Sequence, residues 1–456
     1  MPLFHPQGWR TSAYTPTGRY HFNRLRLYAA GLLLALSIPS GPVNAQPPTA
    51  AGLPDPLTLQ AAVDQALQHN YAIRAAAAEV RRFEGEAVHA GRWVPSNPVL
   101  DVKSAERDAP GGTSTDIGIS LAQEVWTGGK RRLQASAADA RSQAARGRLE
   151  FLHTSTAART RRAFLQVLLA REARRTGQRL LTAAQELQRY TRRRLEAGEA
   201  TALAVNTAAI GVARARAELS RADRDLTRAR LALAELLAVD PGQDLNPAGR
   251  LQPVALELPD RETLLQRSLE RRSDLAAAAQ AVVAAQKELQ LTRRQLIPNL
   301  TIMGFYEEEE SAEILGGGLS VSLPLLHRYR GEQQSASARL QQDQVARDAL
   351  RLQVRREVLQ ALADYRSARE QVEVAGETML SAAEQNLALT RTAFRAGKVG
   401  APAITTAQDN LLSVRRTYLT ALEELIVAGT ALESATGGLI RMHQGVSQPA
   451  SQESTR

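Results

Sequence analysis

The chain has 456 residues, of which 44% are hydrophobic, 23% are charged and only 4% are aromatic. This composition can supply a large core, but its few rings argue against a β-sandwich or an all-β enzyme. Cysteine is absent, which excludes disulfide frameworks, cysteine zinc sites and thiol nucleophiles. Lys and Arg total 57 against 47 Asp and Glu, but the arginines lack interleaved aromatic residues, so we expect no nucleic acid partner.

The N-terminal segment has the features of an export signal. Arg24 and Arg26 precede an apolar run at 27–38, and small residues before Gln46 fit a signal-peptidase site. The apolar run would rise only about 18 Å as a helix, too little for a hydrocarbon layer of about 30 Å. We therefore predict that residues 1–45 are a cleaved signal peptide. No later apolar stretch is long enough for a spanning helix, so we expect a mature protein that is soluble outside the cytoplasm or enters a membrane as a β-barrel.

Two halves of the chain share one pattern. Six positions recur 202 residues later, with Leu67, Ile73, Ile117, Ile119, Leu121 and Gly129 matching Leu269, Leu275, Leu319, Val321, Leu323 and Gly331. Each half predicts a helix, a hairpin, a very long helix, a Gly turn and another helix. We place the repeats at 46–239 and 260–438, with a Pro-rich linker at 240–259 and a flexible tail at 439–456.

Long helices fill most of each repeat. Proline is missing from 111–240 and from 325–401, which are rich in strong helix formers. A single helix over 130–197 would measure about 100 Å, and 331–396 would match it. Apolar and small residues alternate at spacings of four and three, which predicts a coiled-coil seam. The seam positions are Leu169, Ala173, Thr176, Leu180, Ala183, Leu187 and Tyr190, and then Ala361, Tyr365, Ala368, Val372, Ala375, Met379 and Ala382.

Hairpins are predicted at about 98–126 and 299–325, with strands at 98–104, 116–126, 299–306 and 317–325. Apolar residues alternate with small polar ones, which is typical of a barrel strand between lipid and lumen. The residues that we expect to face lipid are Ile117, Ile119, Leu121, Leu319, Val321 and Leu323. The alternative is a pair of hairpins packed on a soluble core. Trp93 and Trp126, near strand ends, favour the membrane boundary.

Four strands cannot close a barrel in a bilayer, so this interpretation requires several copies of the chain. Two copies would give eight strands with little room inside, whereas three would give twelve around an open lumen. We therefore predict a homotrimer. The expected fold is mainly α with a small β part, in which a long α-helical coiled-coil barrel continues into a transmembrane β-barrel with four strands per chain.

This arrangement resembles the TolC family of outer-membrane efflux proteins over 57–438. The matching features are Leu59-x-x-Ala62, Ala66-Leu67-x-x-Asn70, the duplicated order of elements, and the turns Leu195-Glu196-Ala197-Gly198 and Phe394-Arg395-Ala396-Gly397. The resemblance implies a trimeric duct that is embedded in outer-membrane lipid and extends into the periplasm. It also implies two protein partners, a periplasmic adaptor (membrane fusion protein) and an inner-membrane pump.

A closer resemblance is to the CzcC-like cation-efflux branch, on Pro95-Ser96-Asn97-Pro98 and Gly128-Gly129-Lys130-Arg131. It implies a passive duct for divalent heavy metals of the cobalt, zinc and cadmium type, working with a resistance-nodulation-division (RND) transporter. The sequence departs at Ser96, which interrupts a tighter Pro-Asn-Pro, and at Ser273, where the family often has Pro. Without cysteine we expect no lipid anchor. Alternatives are a duct for drugs or type I secreted polypeptides and, in another class, a periplasmic structural coiled-coil protein.

Two sets of site residues follow from the resemblance. The Gly turns should form the rim that contacts the adaptor, through Gly198, Gly397, Leu195, Phe394, Arg395 and Lys398, with Arg194 and Val399 beside them. The family often has an acidic ring at the periplasmic entrance, but Ala403 and Thr406 occupy the corresponding positions. Asp409, one turn further along, is the candidate for a displaced ring, and a plain exposed carboxylate is the alternative.

Two further expectations concern chemistry. Residues 307–310 and Glu313 form an acidic cluster that we expect in the connection of the second hairpin, either attracting cations at the outer mouth or serving as a solvated loop. No nucleophile elbow, phosphate loop, zinc-protease motif or dinucleotide fingerprint occurs, and the seven histidines share no ligand spacing. We therefore expect no enzyme activity, no cofactor and no ordered metal site.

Overall fold

The computed structural model describes residues 54–109, 112–253, 256, 258–309, 312–440 and 446–447. The predicted signal peptide and most of the predicted tail lie outside these residues. Among the described residues, no helix combines enough length with enough apolar character to cross a membrane.

The elements repeat in the same order in both halves. The first half contains α1 (Leu59–His69), α2 (Tyr71–Ala90), β1 (Val99–Ala109), β2 (Gly112–Val125), α3 (Lys130–Glu196), α4 (Ala202–Leu237) and the short β3 (Arg250–Leu251). The second contains α5 (Arg261–Arg271), α6 (Ser273–Arg294), β4 (Leu300–Glu309), β5 (Ala312–Val321), α7 (Arg330–Glu373), a π-helical segment (Val374–Leu380), α8 (Ser381–Arg395), α9 (Ala401–Ala435) and β6 (Val446–Ser447). The predicted mainly helical fold with a small antiparallel sheet is confirmed.

The helix α3 runs unbroken for 67 residues, or about 100 Å. Its N-cap is Gly129 at a φ of 71°, and the buried side is rich in alanine. Small side chains allow α4 and α6 to pack closely on it: a Cβ at Gly177 would lie 3.3 Å from the backbone of Leu219. The predicted first long helix therefore agrees with the structure.

The second long helix differs from its prediction. Ala361, Tyr365, Ala368, Val372 and Ala375 are buried, as the seam requires. Within the π-helical segment Met379 is exposed. Beyond the segment Ala382 is exposed as well, and Ala383 and Leu387 are buried instead. A π-helical turn contains about one residue more than an α-helical turn, so it moves the seam forward by one position. At this segment the ring of Tyr418 lies against Gly376, where a Cβ would come within 2.9 Å of Tyr418 Cε2.

The main core forms where both repeats meet, and it includes the inter-repeat linker. Its fully buried side chains include Phe164, Leu165, Val167, Leu233, Leu237, Leu264, Val354, Val358, Tyr365 and Leu432. In the linker, Leu245 and Leu256 are buried in the same core. The backbone N–H of Leu256 donates to the Tyr365 hydroxyl at 2.7 Å. The linker is thus packed against the helices that it joins.

In each repeat, a side chain between the first two helices donates a hydrogen bond to the end of the last helix. Asn70, between α1 and α2, donates from Nδ2 to the carbonyl of Leu236 at 3.1 Å. Arg272, between α5 and α6, donates from Nη1 to the carbonyl of Ala435 at 3.2 Å. Both contacts join the start of a repeat to the last turn of its final helix. Because these carbonyls would otherwise be unsatisfied helix ends, the contact also caps each helix.

Arg272 is the centre of a buried ionic network. Its side chain is 3% exposed, and its guanidinium lies 2.6 Å from Asp274 Oδ2 and 2.6 Å from Glu357 Oε2. Burial alone would lower the pKa of Arg272, but the hydrogen bonds to the two carboxylates raise the pKa above the usual value. The network ties α6, α7 and the end of α9 together.

Candidate functional site

The four longer strands form one antiparallel sheet in the order β1-β2-β4-β5. The pairing is continuous, so Val102, Ile119, Tyr306 and Leu315 lie opposite one another in a single row. Since side chains alternate between faces, this register fixes the composition of each face. We call the first face the apolar face, and its residues include Leu100, Val102, Ile117, Ile119, Leu121, Ile302, Leu315, Leu319 and Val321.

The opposite face carries most of the charged side chains, and we call it the polar face. Its residues include Asp101, Lys103, Arg107, Asp116, Ser120, Glu124, Thr301, Glu307, Glu309 and Ser320. Arg107 Nη2 lies 2.8 Å from Asp116 Oδ2 and 3.3 Å from Glu309 Oε2, which links three strands. Phe305 lies over Gly316, where an added Cβ would come within 2.3 Å of the ring. One sheet thus has two chemically distinct faces.

Of the six residues predicted to face lipid, the structure places five on the apolar face. The exception is Leu323, and that part of the strand prediction is wrong. β5 ends at Val321 because its partner there, Leu300, is the first residue of β4. Pro324 follows, and proline has no N–H to extend a ladder. Leu323 lies in the segment after β5, 69% exposed.

The acidic cluster also lies elsewhere than predicted. Glu307, Glu308 and Glu309 belong to β4 and Glu313 belongs to β5, rather than to the connection between them. Glu310 lies outside the described residues. Because side chains alternate between faces, Glu307 and Glu309 lie on the polar face. Glu308 and Glu313 are partners in the ladder and lie on the apolar face, past the end of its apolar residues. The cluster is therefore divided between the two faces.

Both Gly turns have the same backbone. In the first, the N–H of Gly198 donates to the carbonyl of Leu195 at 2.9 Å, and the N–H of Glu199 to that of Arg194 at 2.7 Å. The second turn repeats both bonds at 2.9 Å around Gly397. The glycines have φ values of 77° and 72°, in the left-handed region that completes this C-cap without a Cβ penalty. The sequence match of the two turns therefore extends to their geometry.

Phe394 holds the two turns together. It is 8% exposed and packs with Leu187, Ala208 and Ile404, and the edge of its ring meets Tyr190 at 5.3 Å between centroids. It therefore cannot offer its ring to an adaptor, and the predicted contact role of Phe394 requires correction. Burial of an aromatic side chain is strongly favourable, so the ring turns into the space between the helical pairs. The remaining rim residues are exposed, namely Gly198, Gly397, Leu195, Arg395 and Lys398, and Val399 is half-buried.

At the predicted entrance, Ala403 is half-buried while Thr406 and Asp409 are exposed on one side of α9. Asp409 Oδ2 lies 3.3 Å from Arg214 Nη1 on α4. Further along the same two helices, Arg416 Nε donates to Glu218 Oε1 at 2.9 Å. Sequence reasoning missed these pairings because they join residues almost 200 positions apart.

The described residues include no group of three or more His, Cys, Asp or Glu side chains placed to hold a metal ion. The surfaces described above are the two-faced sheet, the two Gly turns and the exposed side of α9 that carries Thr406 and Asp409.

A family model described as outer membrane efflux protein matches residues 62–239 and 264–438. The chain therefore belongs to the outer membrane efflux protein family, and the family predicted from the sequence is confirmed. The two matched segments coincide with the two halves of the fold.

Three similar proteins illustrate the relationship. The cobalt-zinc-cadmium resistance protein CzcC of Cupriavidus metallidurans is 28% identical over 395 residues, covering 86% of this chain and 92% of CzcC. Protein CyaE of Bordetella pertussis is 27% identical over 420 residues, covering 87% of each chain. The solved outer-membrane channel OprN matches at a TM-score of 0.72 with 23% identity, covering 83% of this chain and 90% of OprN.

The position of Phe394 leads to a prediction about the rim. Phe394→Ala removes the ring contact with Tyr190 and leaves a cavity that costs about 3 kcal/mol locally. We expect faster trypsin cleavage after Arg395 and Lys398, measured by mass spectrometry of early digestion products. Leu389→Ala is the control, because Leu389 is on the same helix but 68% exposed. Equal cleavage of both variants would contradict the packing role.

Proposed function

We propose that this chain is the outer-membrane channel of a tripartite efflux system. In this proposal a homotrimer forms a passive duct that carries cargo from an inner-membrane RND transporter and a periplasmic adaptor to the exterior. The observation that carries the proposal is the sheet register, because it gives the sheet one mainly apolar face and an opposite face that carries both bases and five of the nine acids of the four strands. A membrane channel needs both, one toward lipid and one toward water.

Closure of the sheet supports the homotrimer. Within the described residues, β1 and β5 are the outer strands of the sheet, and each has a partner on one side only. Unpaired backbone groups are not tolerated in lipid, so β1 of one copy must pair with β5 of another. Three copies give twelve strands, enough for an open lumen. The apolar face then meets the outer membrane, and the polar face lines the pore.

The long helices support a duct that spans the periplasm. α3 begins five residues after β2 and ends at the first Gly turn, about 100 Å of helix away. The second Gly turn packs beside the first through Phe394. Both turns therefore lie at the end remote from the sheet, where an adaptor would dock. The proposed entrance, with Thr406 and Asp409, begins about one and a half turns into α9.

Divalent heavy-metal cations of the cobalt, zinc and cadmium type are the proposed cargo. The similarity to a cobalt-zinc-cadmium resistance protein supports this cargo. A second support is the charge of the polar face, which carries five acids (Asp101, Asp116, Glu124, Glu307 and Glu309) against two bases (Lys103 and Arg107). The difference, 2 − 5 = −3 per chain, favours cations in a lumen. No resident metal site is required, because the ion passes through.

The cargo is tested by deleting the gene in its host and measuring growth with cobalt, zinc or cadmium salts. We expect greater sensitivity to these metals, restored by the intact gene. Unchanged metal sensitivity with increased sensitivity to organic drugs would favour the alternative drug duct. Retained metal and drug resistance with loss of an exported polypeptide would favour secretion.

The sheet offers a sharper test of the channel itself. Leu121→Arg places a charge on the apolar face and should weaken membrane assembly by about 2–4 kcal/mol if the residue lies near the bilayer midplane. Ser120→Arg is the matched control. Ser120 is next to Leu121 and points to the polar face, so this variant should assemble normally and have an altered conductance. The measurements are the yield of detergent-extracted trimer and single-channel conductance in planar bilayers. Equal assembly of both variants, or a wild-type protein that is a soluble monomer, would favour the periplasmic coiled-coil alternative.

A further inference from the structure

Four segments lie where the strands meet the helices, at one end of the sheet, and all four are basic. They are 91–98 before β1, 126–132 after β2, 293–299 before β4 and 322–330 after β5. Together they contain eight Lys or Arg and no Asp or Glu, so their charge is +8 per chain. The bases are Arg92, Lys130, Arg131, Arg132, Arg293, Arg294, Arg328 and Arg330. We call these four segments the basic collar.

The acids of the strands are concentrated at the opposite end of the sheet. Of the nine acids in the four strands, seven lie closer to the hairpin connections than to the collar. They are Glu106, Asp108, Asp116, Glu307, Glu308, Glu309 and Glu313. The sheet is therefore acidic at the hairpin end and bordered by bases at the helix end.

The basic collar is available to an anion from outside the chain. Six of its eight bases are exposed, and within the part of the chain that the structure describes none of the eight lies in an ion pair. The acids nearest in sequence have other partners. Glu124 Oε1 accepts from Asn299 Nδ2 at 2.7 Å, and Glu332 Oε1 lies 3.0 Å from His327 Nε2. The collar thus carries positive charge that these acids do not neutralise.

Large apolar side chains are exposed in the same segments. Trp93 is 82% exposed, and Leu325 and Leu326 are exposed as well. Arg131 Cζ lies 4.3 Å from the centroid of the Trp93 ring. Tryptophan and leucine next to arginine are typical of a boundary between water and lipid, where the apolar part enters the acyl region and the guanidinium remains among the headgroups. Bases alone would suit any anion, whereas this combination suits a lipid headgroup.

We propose that the basic collar binds the headgroup phosphates of anionic phospholipids in the membrane leaflet on the helix side of the sheet. This inference rests on the proposed function, which puts the sheet in the outer membrane and the helices in the periplasm. Seven of the eight bases are arginine, and a guanidinium can form two parallel hydrogen bonds to phosphate oxygens. The collar would then fix the depth of the sheet in the membrane, because it holds the helix end of every strand at the phosphates.

The test uses the full chain purified in detergent, with phosphatidylglycerol and phosphatidylcholine as probes. Both lipids carry a phosphate, but the choline group cancels its charge. Native mass spectrometry counts the lipids bound per chain, and a lipid titration gives the dissociation constants. We expect the wild-type chain to bind phosphatidylglycerol more tightly than phosphatidylcholine, and this preference to weaken as salt is raised.

Two pairs of exposed arginines on different helices test the collar independently. One variant is Arg328→Gln with Arg330→Gln, at the start of α7, and the other is Arg293→Gln with Arg294→Gln, at the end of α6. Each should weaken binding of phosphatidylglycerol by at least about tenfold, because each removes two charges at the headgroups. Binding of phosphatidylcholine should not change. Circular dichroism and sedimentation check that each variant keeps its fold and assembly.

Two controls separate the position of the charge from its amount and from apolar contact. Arg355→Gln with Arg356→Gln removes two exposed charges from the same helix α7, about 38 Å from Arg330. This control should bind both lipids as the wild type does. Leu325→Ser with Leu326→Ser should weaken binding of both lipids equally, because the acyl chains are common to both.

Four results would overturn the inference. They are equal affinity of the wild-type chain for the two lipids, equal effects of the collar variants and the Arg355 and Arg356 control, displacement of phosphatidylglycerol by an equal concentration of inorganic phosphate, and tighter binding of polyglutamate than of phosphatidylglycerol. The third result would indicate a site for the free ion, and the fourth a site for an acidic protein.

Lipid binding is measured without transport, so its outcome is separate from that of the channel. A chain that prefers phosphatidylglycerol through the collar but neither conducts nor protects against metals would contradict the proposed function alone. A conducting, protective chain without this preference would contradict the lipid site alone. Collar variants that change the ion selectivity of the conductance but not the binding of either lipid would put the arginines in the pore, and would also contradict the lipid site.

Discussion

The pairing of backbone groups in the sheet is the constraint on which the rest of the molecule depends. In lipid, every strand N–H and carbonyl needs a partner, and a four-stranded sheet with two outer strands cannot provide this alone. On the proposed assembly, the missing partners of β1 and β5 belong to neighbouring copies. The register then decides which side chains meet lipid and which meet the pore, because a slip of one residue would exchange the two faces.

The long helices connect the base of each repeat to the Gly turns at the far end of the molecule. Each repeat is tied at its base by a side chain, Asn70 or Arg272, that donates to the last turn of its final helix. From this base the long helices extend to the Gly turns, where Phe394 joins the two repeats again. The distance between sheet and rim is thus set by helix length, and the lateral position of the turns is set by packing at both ends.

The sequence was sufficient to predict features that depend on local pattern. The absence of proline and the spacing of small residues predict α3, and alternation predicts the strands and their faces. Duplication predicts that both Gly turns share one geometry, because each turn reverses the chain at the end of a long helix with an Ala-Gly pair at the same position. These features require only propensity, period and turn chemistry.

Features that depend on distant partners were not predictable in this way. The end of β5 is set by the start of β4, which excludes Leu323 from the sheet. The shift of the second seam accompanies the contact between Gly376 and Tyr418, two residues on different helices. Phe394 reads as a rim residue in sequence, yet the neighbouring repeat buries it, and the pairing of Asp409 with Arg214 joins two repeats. In each case the deciding neighbour comes from elsewhere in the chain.

The most direct measurement of the central claim is disulfide cross-linking between β1 and β5, since the chain has no native cysteine. Val102→Cys is combined in turn with cysteine at each position from 313 to 321 in the membrane-embedded protein. Within one chain these strands are about 14 Å apart, too far for a disulfide, so any bond must join two copies. We expect covalent trimers, formed with odd-numbered β5 positions that share the apolar face with Val102. Monomers at every position, or equal cross-linking at odd and even positions, would contradict pairing of β1 with β5 between copies.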